Sequence, residues 1–161
     1  MLVVVCGVPG TGKTTVAELV ADRLDAALLR TDVVRQDVVD DPTYTDAERQ
    51  RVYDALFERA RERLQAGETV VLDGTFSRDQ YRRAAMDLAA DCGVDRRVLR
   101  VRCDPEVART RVAERTDDES EADVDVYEEL RQEFESLALD HEVVDNSGTL
   151  AATESQVDAL F

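Results

Sequence analysis

One stretch near the amino terminus combines glycine, lysine and threonine at a spacing suited to binding phosphate groups. Residues 7–14 read GVPGTGKT and match the pattern GxxxxGK[ST], between an apolar segment and a helical pattern. Glycines allow successive N–H groups to turn inward around phosphate oxygens, and the following helix adds the partial positive charge of its N-terminus. A chance glycine-rich turn would lack this context, so the stretch predicts a nucleoside triphosphate site.

The side chains of this P-loop have distinct predicted roles. Lys13 is the only lysine among 20 basic residues, which indicates a position where a compact ammonium is needed and a forked guanidinium would not fit. We expect it to bridge the β- and γ-phosphates of ATP, while the Thr14 hydroxyl ligates Mg²⁺ and the Thr15 hydroxyl reaches the α-phosphate. The predicted nucleotide-binding residues of the loop are Gly10, Thr11, Gly12, Lys13, Thr14 and Thr15.

A second metal-binding side chain is predicted where a later apolar run ends. Residues 70–72 are Val-Val-Leu, and Asp73 follows them directly. A carboxylate in this position of a P-loop protein holds Mg²⁺ directly or through water. The alternative is that Asp73 only caps the next turn. Thr75 follows two residues later and is expected to face a phosphate acceptor.

Two further polar stretches carry arginine at helical spacing. In Arg30-Thr31-Asp32-Val33-Val34-Arg35, the spacing of three residues places Asp32 and Arg35 on one helical face. The alternative is that Asp32 only caps a helix and Arg35 is exposed. Farther along, Arg111 and Arg115 lie one helical turn apart, just before an acidic stretch at residues 116–125.

Together these stretches resemble the small P-loop kinases of the AAA type, a group that includes polynucleotide 5′-hydroxyl kinases, zeta-toxin-like kinases and antibiotic phosphotransferases. The resemblance implies that Asp32 accepts the proton of the attacking hydroxyl, and that Arg35 and Thr75 hold the acceptor. It also implies that Arg115 stabilises charge on the transferred phosphoryl group and that Arg111 binds nucleotide. The stretches that carry it are residues 7–15 (GVPGTGKTT), 30–35 (RTDVVR), 70–76 (VVLDGTF) and 108–115 (ARTRVAER).

The elements that must position these residues alternate between short apolar runs and helical patterns, which favours a parallel sheet covered by helices on both faces. We expect a three-layer α/β/α fold with five parallel strands in the order 2-3-1-4-5. Residues 1–161 would form one domain, with a small helical lid at about 109–129 and a helix near residues 124–139. In the helix that follows residue 77, Arg78, Arg82 and Arg83 are expected to form a solvated face.

Composition constrains the acceptor. Thirty-six acidic and 20 basic residues give a net charge of −16 and a pI near 4.4, which resembles proteins of salt-loving microbes or reflects a bias of the lineage. Because such a charge repels a phosphate chain, a nucleoside, sugar or antibiotic hydroxyl is favoured over a polynucleotide end. A binding module that hydrolyses ATP as a switch is the competing class.

No apolar run is long enough to span a bilayer, and Met1 to Cys6 resembles a first strand rather than a signal peptide, so a cytoplasmic protein is expected. The three cysteines show no CxxC spacing, which argues against a zinc site.

Overall fold

The computed structural model describes residues 1–113 and 131–161. Within them, five strands form one sheet in which every neighbouring pair is parallel. The spatial order is β2-β3-β1-β4-β5, as expected from the sequence. The strands are β1 Leu2–Cys6, β2 Ala27–Arg30, β3 Val70–Asp73, β4 Arg96–Arg102 and β5 Glu142–Asp145.

Helices cover both faces of this sheet, so the molecule has the three layers that the sequence predicts. On one face α3 and α4 pack against Leu2, Val4 and Cys6 of the central strand, and on the other α1 and α6 pack against Val3 and Val5. All five side chains are fully buried, which explains why β1 is a continuous apolar run without alternation. The helices are α1 Lys13–Leu24, α2 Thr31–Val38, α3 Asp46–Gln65, α4 Asp79–Asp91, α5 Pro105–Ala113 and α6 Leu150–Leu160.

The parallel arrangement brings the carboxyl ends of the strands to one edge. In the register of the sheet, Arg30 at the end of β2 pairs with Asp73 at the end of β3. The P-loop follows the central strand β1, which lies between β3 and β4 in the sheet. The candidate chemistry of the sequence therefore converges on this edge, as is usual for ligand sites in open α/β sheets.

One predicted helix is wrong in its second half. The described part of the 124–139 segment is helical at residues 131–133 and leaves the helix from Phe134 onward. The reason is competition for main-chain groups. The Arg82 guanidinium takes the carbonyls of Glu135 and Ser136, and the Glu135 N–H donates to the carbonyl of Ser77.

The predicted lid lies largely outside the described residues, and Arg115 lies outside them as well. Helix α5, which leads into it, begins as predicted, because Asp104 accepts a hydrogen bond from the Glu106 N–H and Pro105 occupies the first helical position. In the described part of the chain, no helix is long and apolar enough to cross a membrane.

Candidate active site

The P-loop has backbone angles and close contacts that admit only glycine at two positions. Gly10 and Gly12 have φ values of +77° and +80°. A Cβ on Gly10 would lie 2.6 Å from the carbonyl oxygen of Ala108, and one on Gly12 would lie 2.1 Å from Nδ2 of Asn146. The turn is therefore closed on its outer side by α5 and by the turn after β5.

Lys13 and Thr14 open helix α1 at the end of this loop. The Lys13 ammonium donates a hydrogen bond of 3.0 Å to the carbonyl of Val8, so it spans the loop. The Thr14 hydroxyl donates a hydrogen bond of 2.8 Å to Oδ2 of Asp73. Thr15 follows and is exposed.

These side chains fit a Mg²⁺-bound triphosphate. Glycines allow the P-loop turn and a helix N-terminus adjoins it. The hydroxyl of Thr14 and the carboxylate of Asp73 supply two oxygen ligands already in contact with each other, which is the hard-donor chemistry that Mg²⁺ prefers.

Asp73 is almost fully buried, at 4% exposure. Burial raises the pKa of its carboxyl above the ordinary value, an effect that the Thr14 hydroxyl and the charges of Lys13 and Arg30 only partly offset. A divalent cation placed against this carboxylate would compensate the same cost. The burial is thus a physical feature that favours metal binding over a mere turn-capping role.

The predicted acceptor carboxylate lies one strand away and has an arginine partner. Arg30 donates to both carboxylate oxygens of Asp32, at 3.2 and 2.6 Å, and its Nε lies 3.9 Å from Oδ2 of Asp73. The Asp32 side chain is 61% exposed. Asp32 is not the N-cap of α2, which is Arg30, although it accepts a hydrogen bond from the Val33 N–H in the first turn. Arg30 was not singled out from the sequence as a site residue.

Arg35 lies in an ion pair rather than in an open position. Its guanidinium contacts the carboxylate of Glu48, which is 5% exposed, and stacks 5.1 Å from the ring centroid of Tyr44. Glu48 also accepts hydrogen bonds from the N–H groups of Thr43 and Tyr44. These contacts join α2 to the start of α3.

Thr75 lies in the turn after β3, partly exposed, and its carbonyl accepts a hydrogen bond of 3.3 Å from the Gly7 N–H. The turn continues through Phe76, a fully buried residue at a φ of +46°. The Phe76 N–H donates to the Tyr53 hydroxyl at 3.0 Å, and its carbonyl accepts from Arg82 at 2.8 Å.

Arg82 corrects an expectation from the sequence. It was expected on a solvated helix face, but its side chain is fully buried. Its guanidinium binds the carbonyls of Phe76 and Ser77 on one side and those of Glu135 and Ser136 on the other. Two segments that are far apart in sequence are thereby joined beside the site. Periodicity alone could not distinguish this arginine from its exposed neighbour Arg83.

The turn after β5 contacts the P-loop through a side chain. Asn146, which is 7% exposed, donates a hydrogen bond of 2.9 Å to the carbonyl of Thr11. The main-chain carbonyl of Asn146 accepts a hydrogen bond of 2.9 Å from the Arg111 guanidinium, which brings Arg111 to the rim of the P-loop. The sequence does not single out the Asn146 side chain, because its partner is a main-chain carbonyl far away in the chain.

Comparison with known proteins matches most of the chain to one family. Residues 2–137 match a family described as an AAA domain. Proteins of Mycobacterium bovis and Mycobacterium tuberculosis, both described as uncharacterised, are 38% identical to this chain over an alignment of 102 positions, and the alignment covers 56% of this chain and 20% of each relative. The aligned region thus spans about a fifth of the length of the curated relatives that it matches.

Solved structures show the same fold at low sequence identity. A gluconokinase from Sinorhizobium meliloti superposes with a TM-score of 0.71 at 21% identity, covering 99% of this chain and 91% of its own. The APS kinase of Mycobacterium tuberculosis, solved with AMPPNP and APS, gives 0.71 at 19% identity, covering 99% and 94%. Kti12 from Chaetomium thermophilum, solved with ADP-AlF3, gives 0.73 at 21% identity, covering 99% and 97%. The family match extends over most of the chain and includes the P-loop, Asp32 and Asp73, and the protein belongs to the AAA domain family.

Proposed function

We propose that the protein is an ATP-dependent kinase that transfers the γ-phosphoryl group of Mg·ATP to a hydroxyl group of a small molecule, such as a nucleoside, sugar or antibiotic. The observation that carries the proposal is the linked set of Thr14, Asp73, Arg30 and Asp32. It combines a metal-binding pair with a second, exposed carboxylate one strand farther from the P-loop. The exposed second carboxylate suits a general base that accepts the proton of an attacking hydroxyl, whereas in ATP hydrolysis such a group would orient water.

In this proposal each side chain acts on position or charge. Lys13 stabilises negative charge on the β- and γ-phosphates, and Asp32 accepts the proton of the attacking hydroxyl. Arg30 fixes the orientation of the Asp32 carboxylate through its two hydrogen bonds. Mg²⁺ bound by Thr14 and Asp73 would neutralise charge on the phosphate oxygens.

The remaining predicted residues have supporting roles in the same proposal. Thr75 and Arg35 adjoin the acceptor. Arg35 contributes those N–H groups of its guanidinium that do not bind Glu48. Arg111 and Arg115 act on the nucleotide, from a lid at about residues 109–129 of a single kinase domain. The transfer requires little covalent help from the protein, so positioning and electrostatic stabilisation account for most of the rate.

A small acceptor is supported by two kinds of observation. The gluconokinase and the APS kinase among the structural neighbours are named for small acceptors. The net charge of −16 opposes binding of a phosphate chain, which weakens the alternative of a polynucleotide 5′-hydroxyl kinase.

The decisive experiment is a screen of hydroxyl acceptors in multimolar KCl, with ADP release and the mass of the phosphorylated product as readouts. We expect one class of small molecule to accelerate ADP release well above the rate with water alone. Lys13→Met should abolish both rates, whereas Asp32→Asn should reduce only the acceptor-dependent rate. Acceleration only by oligonucleotides with a free 5′-hydroxyl would mean that the acceptor is a polynucleotide end rather than a small molecule. Slow hydrolysis that no acceptor accelerates would favour an ATP-dependent switch.

A further inference from the structure

A cavity of about 300 Å³ lies beside the P-loop at the carboxyl end of β4. Its walls come from Gly7, Val8 and Thr11 of the loop, from the end of β4, and from the described segment that begins at residue 131. We refer to it as the β4 cavity. Neither Asp32 nor Asp73 lines it, so it is distinct from the carboxylates on the other side of the P-loop.

The charge of the β4 cavity is opposite to that of the protein. Arg100, Arg102 and Arg131 line it, and none of its lining residues among 1–113 and 131–161 is acidic. In the same part of the chain, neither Arg100 nor Arg102 forms an ion pair with a carboxylate, whereas Arg97 on the same strand lies 3.8 Å from Glu142. The described lining of the cavity is therefore basic, in a chain whose net charge is −16.

Arg100 is also held in place by its surroundings. Its guanidinium carbon lies 5.3 Å from the ring centroid of Phe134, and the buried guanidinium of Arg82 lies 5.4 Å from the same centroid. Arg82 in turn binds the carbonyls of the residues next to Phe134. Stacking occupies the face of a guanidinium and leaves the donors in its plane for a ligand, which is the arrangement that suits bidentate binding of carboxylate or phosphate.

The position of the β4 cavity suits an acceptor that reaches across the P-loop. Val8 lines the cavity, and its carbonyl is the group that holds the Lys13 ammonium. Asp32 follows β2, and β4 lies three strand spacings away from β2 in the sheet. At about 4.8 Å per spacing, the two backbones are about 14 Å apart. An acceptor bound at both ends would bridge this span less the reach of the side chains at either end.

We propose that the β4 cavity binds a carboxylate or phosphate group of the acceptor, and that Arg100 determines specificity for anionic acceptors. The proposal rests on the kinase function given above and names the chemical class of its substrate. It also assigns the anion-binding role to arginines other than Arg35, whose guanidinium is paired with the buried carboxylate of Glu48.

The first test compares acceptors in matched pairs at one KCl concentration: gluconate with glucose, and glycerol 3-phosphate with glycerol. We expect a higher kcat/KM for the anionic member of at least one pair, and the pair that responds identifies carboxylate or phosphate as the source. Arg100→Gln should lower that kcat/KM about tenfold or more, the effect of losing a charged hydrogen bond, with the KM for ATP unchanged.

The control is Arg96→Gln, which removes an exposed arginine at the opposite end of the same strand and should keep the preference. Arg102→Gln, at an exposed position that cannot disturb the core, should weaken the preference in the same direction as Arg100→Gln. Equal behaviour of Arg96→Gln and Arg100→Gln would overturn the proposal. A raised KM for ATP in Arg100→Gln would also overturn it, because the cavity would then belong to the nucleotide.

A second measurement separates failure of this proposal from failure of the kinase assignment. With the P-loop blocked by a non-hydrolysable ATP analogue, calorimetric titration with inorganic phosphate should show binding to the wild-type protein. Binding to Arg100→Gln should be at least about tenfold weaker, and Arg96→Gln should match the wild type. If no acceptor is phosphorylated but this pattern holds, the kinase assignment has failed and the anion site remains. Absence of phosphate binding to the blocked wild-type protein would refute the site itself.

Discussion

The side-chain amide of Asn146 donates a hydrogen bond of 2.9 Å to the main-chain carbonyl of Thr11, which ties the turn after β5 directly to the P-loop. Oδ1 of Asn146 is held in turn by the hydroxyl of Thr153, at 2.8 Å, on helix α6. The amide therefore has a fixed orientation, and the P-loop is stabilised by a side chain that lies outside the loop.

Replacing the Asn146 amide should weaken nucleotide binding. In Asn146→Asp a carboxylate oxygen faces the Thr11 carbonyl instead of a donor, and an unsatisfied buried group costs about 1–3 kcal/mol. We expect a lower free energy of unfolding and about tenfold weaker binding of an ATP analogue, measured by denaturant titration and calorimetry. The control Thr153→Val breaks only the contact to Oδ1 and should reduce affinity less. Equal losses of affinity in both variants would contradict a specific support of the P-loop by Asn146.

Gly12 and Gly67 form a natural pair for testing close contact in the P-loop. Their φ values, +80° and +85°, are nearly equal, so alanine at either position carries the same backbone cost of about 1–2 kcal/mol. A Cβ on Gly67 meets nothing within 4 Å, whereas one on Gly12 would displace the Asn146 amide. Gly12→Ala should therefore abolish binding of an ATP analogue, and Gly67→Ala should retain it. Similar binding by the two variants would mean that the turn can shift to accept a side chain.

Lys13→Met should abolish phosphoryl transfer and leave the fold intact. The ammonium donates a hydrogen bond of 3.0 Å to the main-chain carbonyl of Val8, and such a bond contributes about 1 kcal/mol. Lys13→Arg should fail as well, because a guanidinium is too wide for the loop. Activity is measured as ADP release and folding as the midpoint of thermal unfolding. Near-normal activity of Lys13→Met would refute the assignment of this loop as the nucleotide site.

Asp32→Asn should reduce acceptor-dependent turnover by roughly 10²-fold, the scale of a lost general base, with little change in ATP affinity. The control is Asp37→Asn on the same helix, which also removes an exposed carboxylate paired with an arginine, Arg59, at 2.7 Å. That variant should turn over normally. A fall in nucleotide affinity as steep as the fall in turnover would place Asp32 in the nucleotide site instead.

Asp73→Asn should lower turnover and raise the free energy of unfolding, and the gain in stability should depend on pH. Burial raises the pKa of the Asp73 carboxyl above 3.8, so the native state holds this proton more tightly than the unfolded chain does. Above the native pKa the ionised carboxylate therefore destabilises the fold, and the penalty disappears as the pH falls below the unfolded value. Metal-free Asp73→Asn should exceed the wild type in free energy of unfolding at pH 7, and the gap should close towards pH 4, as measured by denaturant titration.

The control for Asp73→Asn is Asp41→Asn, which removes an exposed carboxylate and so isolates the effect of net charge. Turnover of Asp73→Asn should fall steeply at every pH. A stability gap that stays constant from pH 7 to pH 4 would indicate that the carboxyl is not penalised by burial.

The sequence predicted the sheet because its signals are local. Each strand contains at least two neighbouring apolar residues, and the strands alternate with helical patterns along the chain. The P-loop was predictable for the same reason, since eight consecutive residues carry the whole pattern. The cap of α3 is local as well, because Thr45 accepts a hydrogen bond from the Glu48 N–H three residues later.

The contacts that the sequence did not predict join residues far apart in the chain. Glu48 has the spacing of a capping box with Thr45, yet its carboxylate binds Arg35 and the Thr43 and Tyr44 N–H groups. Arg82 and Asn146 bind main-chain carbonyls that lie up to 135 residues away in sequence. No spacing rule reports such contacts, because the partner is a carbonyl that every residue possesses.

Burial separates the polar contacts of this protein into two groups that respond differently to salt. Exposed pairs such as Arg61 with Asp91 face solvent, where 1 M salt shortens the screening length to about 3 Å. The bonds from Thr14 to Asp73 and from Asn146 to Thr11 each involve a nearly fully buried partner, where screening by salt is much weaker. Molar salt can therefore relieve the mutual repulsion of the excess acids while these two hydrogen bonds beside the P-loop are retained. Ionic strength thus acts mainly on the exposed charges, the Arg30–Asp32 pair among them.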